Sequence, residues 1–208
     1  MIRFAALAGL FLAAWPQTAQ ADFSQEIRRC DFSGNHPDIR IVACTRNIQS
    51  GRFTGTNLAV AYSNRALAYK SKGQWDRAIA DFSEAIRLRP DFVTAFNSRG
   101  NAYYGKGQFD RAIKDYDKAI HLQPDLAEAI SNRGNVYRKK GRFDRAIEDY
   151  EKAIQLKPED GQIFANRGLA YEKKGAPVQA LRDFNQAHAL GYRHPLLLKK
   201  LQESGESL

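Results

Sequence analysis

Glycine recurs at 73, 107, 141 and 175, a step of 34 residues, and enough other positions keep that step to make it the governing constraint on the fold. Tyr69, Tyr103, Tyr137 and Tyr171 obey it, as do Ala78, Ala112, Ala146 and Ala180, and Ala85, Ala119, Ala153 and Ala187. Pro90, Pro124 and Pro158 continue it, whereas the fourth proline place holds Tyr192 and a proline follows late at Pro195. A unit this short cannot bury its own apolar flank, so successive copies must stack and share one elongated core. Three copies are complete and a fourth is eroded.

Each copy reads as two helices. In residues 59–92, Tyr62, Ala66 and Tyr69 fall on one helical face, and Gly73 stands where a left-handed C-terminal cap is wanted. Asp76 opens the next segment, its charge matched to the positive end of the helix dipole, with Ala78, Ile79, Phe82, Ala85 and Ile86 as the buried face. Pro90 ends it. Helices joined by so short a turn lie antiparallel and close. Small residues are therefore needed where backbones approach: Gly100, Gly134 and Gly168 in the first helices, and Ala112, Ala146 and Ala180 in the second. Phe82, Tyr116, Tyr150 and Phe184 keep the same step and read as structural core. Arg65, Arg99, Arg133 and Arg167, with Asp81, Asp115, Asp149 and Asp183, read as a structural ladder of ion pairs.

Asn-Arg-Gly at 132–134 and 166–168, Gly141, Ala146-Ile147 and Pro158 together resemble tetratricopeptide repeats (TPR), and the likeness covers residues 59–192. It implies an all-α fold, a TPR-type right-handed solenoid of antiparallel helix pairs. The expected divisions are repeats at 59–92, 93–126 and 127–160, a degenerate fourth at 161–194, and a capping helix and tail at 195–208. Two departures stand out: Ala66 replaces the glycine of later copies, and Ala176-Pro177-Val178 replaces aromatic-Asp-Arg in the fourth, which is expected to serve as an end cap. The resemblance also implies that first helices line a concave groove in which protein or peptide partners lie. Carried over position by position, its lining here is Asn64, Asn97, Asn101, Tyr104, Asn132, Asn135, Arg138, Lys139, Asn166 and Lys173, with Lys70 nearby. Amides both donate and accept, which suits the backbone of an extended peptide, while the basic neighbours favour acidic segments. One subgroup clamps a terminal carboxylate. Asn101 and Asn132 match its pattern, but Asn97, Gln162 and Asn166 stand where it has basic side chains.

The amino-terminal part is of a different kind. Arg3 precedes an apolar run from Phe4 to Trp15, Pro16 breaks it, and Ala19-Gln20-Ala21 forms a small-x-small site, so residues 1–21 are expected to be a cleaved signal peptide. The run is too short to span a bilayer, which needs about 20 apolar residues, and no stable membrane anchor is expected. Export places the mature chain in the periplasm or outside the cell. Residues 22–58 are expected to form a cysteine-containing hairpin, in which Asp38 to Ser50 resemble a second helix with Ile41, Cys44 and Ile48 on one face. Cys30 and Cys44 are expected to pair, as befits two cysteines in an exported protein. A redox pair usually has closer spacing, and a metal site needs more ligands.

Nothing in the chain reads as catalytic. The histidines at 36, 121, 188 and 194 share no metal-binding spacing, no phosphate-cradling loop is present, and the carboxylates follow the repeat instead of standing out as a pair. No enzyme activity, cofactor or metal is expected. The formal net charge of +9 favours anionic partners, and export makes nucleic acid the least expected of them. The leading expectation is a protein-binding scaffold of the cell envelope, and the alternative is a cationic binder of an anionic envelope polymer or lipid headgroup. Oligomeric state is left open by the sequence.

Overall fold

The computed structural model describes Cys30 and residues 36–203, with side chains to Gln202. The expected signal peptide at 1–21 lies outside the described residues, as do most of 22–35 and the tail at 204–208. Ten helices are described: α1 (Pro37–Gln49), α2 (Gly55–Ser71), α3 (Trp75–Leu88), α4 (Val93–Gly105), α5 (Phe109–Leu122), α6 (Ala127–Lys139), α7 (Phe143–Leu156), α8 (Gly161–Lys174), α9 (Pro177–Ala189) and α10 (Pro195–Glu203). No strand occurs among the described residues. Four hairpins, α2/α3, α4/α5, α6/α7 and α8/α9, follow one another at the repeat step, and α10 closes the row.

The turn inside each hairpin is made by the glycines that set the period. Gly73 has φ +68°, and its counterparts Gly107, Gly141 and Gly175 lie between +72° and +84°, a conformation in which a side chain would be strained. The turn lets the Gln74 amide donate back to the Tyr69 carbonyl at 2.9 Å, closing the last helical turn, and the later copies repeat this bond. Within the second, third and fourth hairpins, the second helix drives an aromatic ring against a glycine of the first. A Cβ placed on Gly100 would stand 2.7 Å from Tyr116 Cε1, so no larger residue fits without displacing the ring.

Each second helix is strongly amphipathic and buries one face, Ala78, Phe82 and Ala85 in α3. The first helices are buried more evenly, because each touches its own partner, the second helix of the preceding copy and the neighbouring first helices. The arginine ladder crosses this arrangement. Arg99 donates through Nε and Nη2 to both oxygens of Asp115 at 2.8 Å, and through Nη1 to Ser83 Oγ of the preceding hairpin at 2.9 Å. Arg65 and Arg133 repeat the pattern, with Thr45 and Asp117 as third partners. A second, exposed set of ion pairs joins Lys106 to Asp76, Lys140 to Asp110 and Lys174 to Asp144 across successive hairpins.

The ends depart from the regular unit. The first hairpin starts a turn earlier than residue 59, since α2 runs from Gly55. Before it, α1 takes the place of a second helix, but in a register displaced by four residues. Arg65 reaches Thr45 across 20 positions where Arg99 reaches Ser83 across 16, and Lys72 reaches Asp38 across 34 where Lys106 reaches Asp76 across 30. In that register Cys44 stands where α3 carries Phe82. The space of the missing ring is taken by a disulfide to Cys30, with Cα atoms 4.9 Å apart, packed with Ala43 and Ala61. At the other end, α10 lays Leu197 and Leu201 over Ala165, Ala180, Phe184 and Ala187, the expected cap over the last apolar surface.

Candidate functional site

The first helices α4, α6 and α8 lie side by side, and the space between α6 and α8 opens as a cleft of about 280 Å³. Asn132, Asn135 and Asn166, all expected in the binding surface, meet there with Ser131 and Gln162. The fold makes this inevitable once the hairpins stack in register: residues 132 and 166 hold the same place on successive helices, and 135 lies one turn along.

The amides are held in chosen orientations. Asn132 Nδ2 donates to Asn97 Oδ1 at 3.2 Å, and Asn97 itself is only 5% exposed, so it supports its neighbour from below. Tyr116 Oη donates to Asn101 Oδ1 at 2.7 Å, and Tyr150 Oη donates to Asn135 Oδ1 at 2.8 Å. Arg138 Nε donates to Tyr150 Oη at 3.3 Å. A guanidinium can only donate, so the phenol oxygen accepts from it and passes its own hydrogen to Asn135. The amide nitrogen of Asn135 is thereby left to donate elsewhere. Burial pushes the Tyr150 hydroxyl up to about 12, against the pull of Arg138, which keeps its proton in place at neutral pH. Burial likewise raises Tyr116.

The remaining expected residues are placed as follows. Tyr104 is half-buried, its ring 5.8 Å from Phe109 and near both phenols. Asn64 is half-buried on α2, and Lys139 and Lys173 are exposed near the ends of α6 and α8. Asp160, at the mouth of the cleft, accepts the Gln162 amide at 3.0 Å and caps α8. The hydrogen bonds of the Tyr116 and Tyr150 hydroxyls to the asparagines were missed from sequence, where both read only as core rings. A signal existed. Copies with tyrosine in the second helix carry asparagine in the first (Tyr116 with Asn101, Tyr150 with Asn135), and copies with phenylalanine carry leucine (Phe82 with Leu67, Phe184 with Leu169).

Among the described residues no cluster of three or more histidine, cysteine, aspartate or glutamate side chains is disposed to hold a metal ion. No helix among them is long and apolar enough to cross a membrane. What the site offers is a mixed polar wall: the Asn132, Asn135 and Asn166 amides and Gln162, with Glu128, Asp160 and Lys157 beside them.

A family model described as TPR repeat matches residues 66–107, 100–140 and 134–175, more than half of the chain. The protein belongs to the TPR repeat family. Among solved structures, the chain is similar to a crystal structure of MamA, at 27% identity and a TM-score of 0.66, covering 81% of this chain and 91% of that one. It is similar to a further MamA crystal structure at 25% identity and a TM-score of 0.68, covering 92% and 96%. MamA from residue 41 to its end, from Desulfovibrio magneticus RS-1, superposes with a TM-score of 0.71 over 84% of this chain and 94% of that one; at 20% identity this shows the fold alone. No curated protein matches the chain in sequence. Fold and family together define a protein–protein interaction scaffold.

Proposed function

We propose that the protein binds an extended, acidic segment of a partner protein along the row of first helices, and that it does so after export to the cell envelope. The observation that carries this reading is the polarity of the cleft. With the oxygens of Asn101 and Asn135 accepting from phenol hydroxyls, their amide N–H groups remain to meet carbonyl and carboxylate oxygens near the Arg138 guanidinium, and the cleft wall also holds Lys157 with Glu128 and Asp160. Lys139 and Lys173 add positive charge without a fixed geometry. The Cys30–Cys44 disulfide agrees with an oxidising destination.

The test exchanges one natural pair for another. Asn135→Leu with Tyr150→Phe copies the pair by which the first and fourth hairpins fold, so the melting temperature should hold. Affinity for a fluorescein-labelled peptide of alternating Glu and Ala should fall about tenfold, the scale of losing a hydrogen bond to a charged group. Unchanged anisotropy titrations in a variant that melts normally would sink the assignment. The cationic-surface alternative has less support, since Lys72, Lys106, Lys140 and Lys174 are each paired with an aspartate. It would prevail if binding collapsed with salt equally in wild type and variant.

A further inference from the structure

One repeat beyond the polar cleft, the same junction is built again with opposite chemistry. A cavity of about 170 Å³ lies between α8, α9 and α10. Its walls are those of the polar cleft advanced by one period. Ser131, Asn132 and Asn135 are replaced by Ala165, Asn166 and Leu169; Gln162, Ile163 and Asn166 are replaced by Leu196, Leu197 and Lys200. Beneath Leu169 stands Phe184 in place of a tyrosine, so no hydroxyl there needs an amide partner. Tyr192 and His194, stacked 6.0 Å apart with their planes nearly parallel at 9°, form the side that the loop of Lys157 and Asp160 forms in the polar cleft. Lys200 at the rim is engaged by Glu172 at 2.5 Å, so its charge is matched within the protein. Asn166 borders both cavities, so they lie on either side of one side chain.

An apolar cavity of about 150 Å³ is enough to hold benzene and is unattractive to water, so this one has room for a single phenyl or branched aliphatic group. We propose that it is a socket for one large apolar side chain, leucine, isoleucine or phenylalanine, belonging to the same segment whose acidic stretch lies in the adjoining polar cleft. The proposal rests on the groove reading above and adds to it a sequence requirement: an apolar anchor immediately beside the acidic run. Donors at Asn135 and Asn166 fix the backbone, and the socket next to them selects the side chain.

The experiment uses two labelled Glu-rich peptides that differ only in carrying leucine or alanine at mid-length. Wild type should bind the leucine peptide about tenfold more tightly, the scale of burying one such side chain. Leu169→Asn with Phe184→Tyr rebuilds the pair on which the second and third hairpins fold. It should bring the two affinities within about twofold while leaving the alanine peptide unaffected. In wild type, methyl resonances of Leu169 and Leu197 should shift with the leucine peptide and not with the alanine one, a readout that needs no variant. Equal affinities in wild type, or a preference that survives the double substitution, would overturn the socket. A preference that emerges only after removal of residues 204–208 would overturn it in favour of the chain's own tail as occupant. If the alanine peptide depends on Asn135 and leucine adds nothing, the socket fails and the groove stands. If leucine binding depends on residue 169 while Asn135→Leu with Tyr150→Phe changes nothing, the groove reading fails instead. Absence of binding by either peptide would overturn both.

Discussion

Arg99 carries three attachments at once: a two-pronged bond to Asp115, a third to Ser83, and a position between the rings of Phe96 and Tyr103 at 5.7 and 5.8 Å. Asp115 is buried, and that burial pushes its carboxyl up despite the opposing bond from Arg99. Arg99→Ala would strand this carboxylate and is expected to cost about 3 kcal/mol in urea unfolding. Arg99→Lys should recover only part, since an ammonium lacks the fork. With Asp115 raised in the folded state, its ionised form is the disfavoured one, so the alanine deficit should be largest at neutral pH and shrink as pH falls toward protonation of the buried acid. A deficit that is flat with pH would mean that lost packing, not the uncovered charge, is responsible. The pairing of Arg99 with Asp115 was legible as a ladder because both residues keep the period. The third bond was not, because its acceptors, Thr45, Ser83 and Asp117, share a position and no chemistry beyond a side-chain oxygen.

Among the helices, α1 shows where periodicity stops informing. Its existence and its buried Cys44 followed from apolar spacing, yet a fixed step of 34 sets Cys44 opposite Ala78 instead of Phe82. Only the contacts of Arg65 and Lys72 reveal the four extra residues in the link to α2. The disulfide closes a short loop, with a separation of 14 residues, and constrains the unfolded chain by about 3 kcal/mol. Cys30→Ala with Cys44→Ala should therefore lower amide protection in α1 and the start of α2 and leave α6 to α9 unchanged in hydrogen exchange. Uniform loss along the chain would show that the bond supports the whole stack. In the fourth hairpin α9 begins at Pro177 in place of the usual aromatic start, and α10 covers its flank.

Across the whole molecule, each helix touches its sequence neighbours and successive first helices touch one another, so stability is close to a sum of local terms. Leu201, the fully buried residue of the cap itself, offers a test: Leu201→Ala should cost about 2–5 kcal/mol locally. Exchange should quicken in α9 and α10 while α2 to α5 keep wild-type rates, and a single cooperative loss would refute the additive picture. The solenoid was legible because its glycines, alanines and prolines recur for reasons of backbone geometry that every copy shares. Of the candidate site, the repeating asparagines were legible and their bonding was not. The bonds that fix Asn101 and Asn135 come from hydroxyls of the second helix, and the change from polar to apolar walls between the third and fourth hairpins shows only when both junctions are superposed.

Asn166, common to two adjoining clefts, turns the repeat length into a caliper. Splicing a duplicate of residues 161–194 between α7 and α8 would rebuild the polar cleft on the duplicate's first helix, leave the apolar cavity against α10 and move the two apart by a single hairpin. Such a chain would gauge its partners by the spacing of their features, and could be set to a longer gap without redesigning either contact.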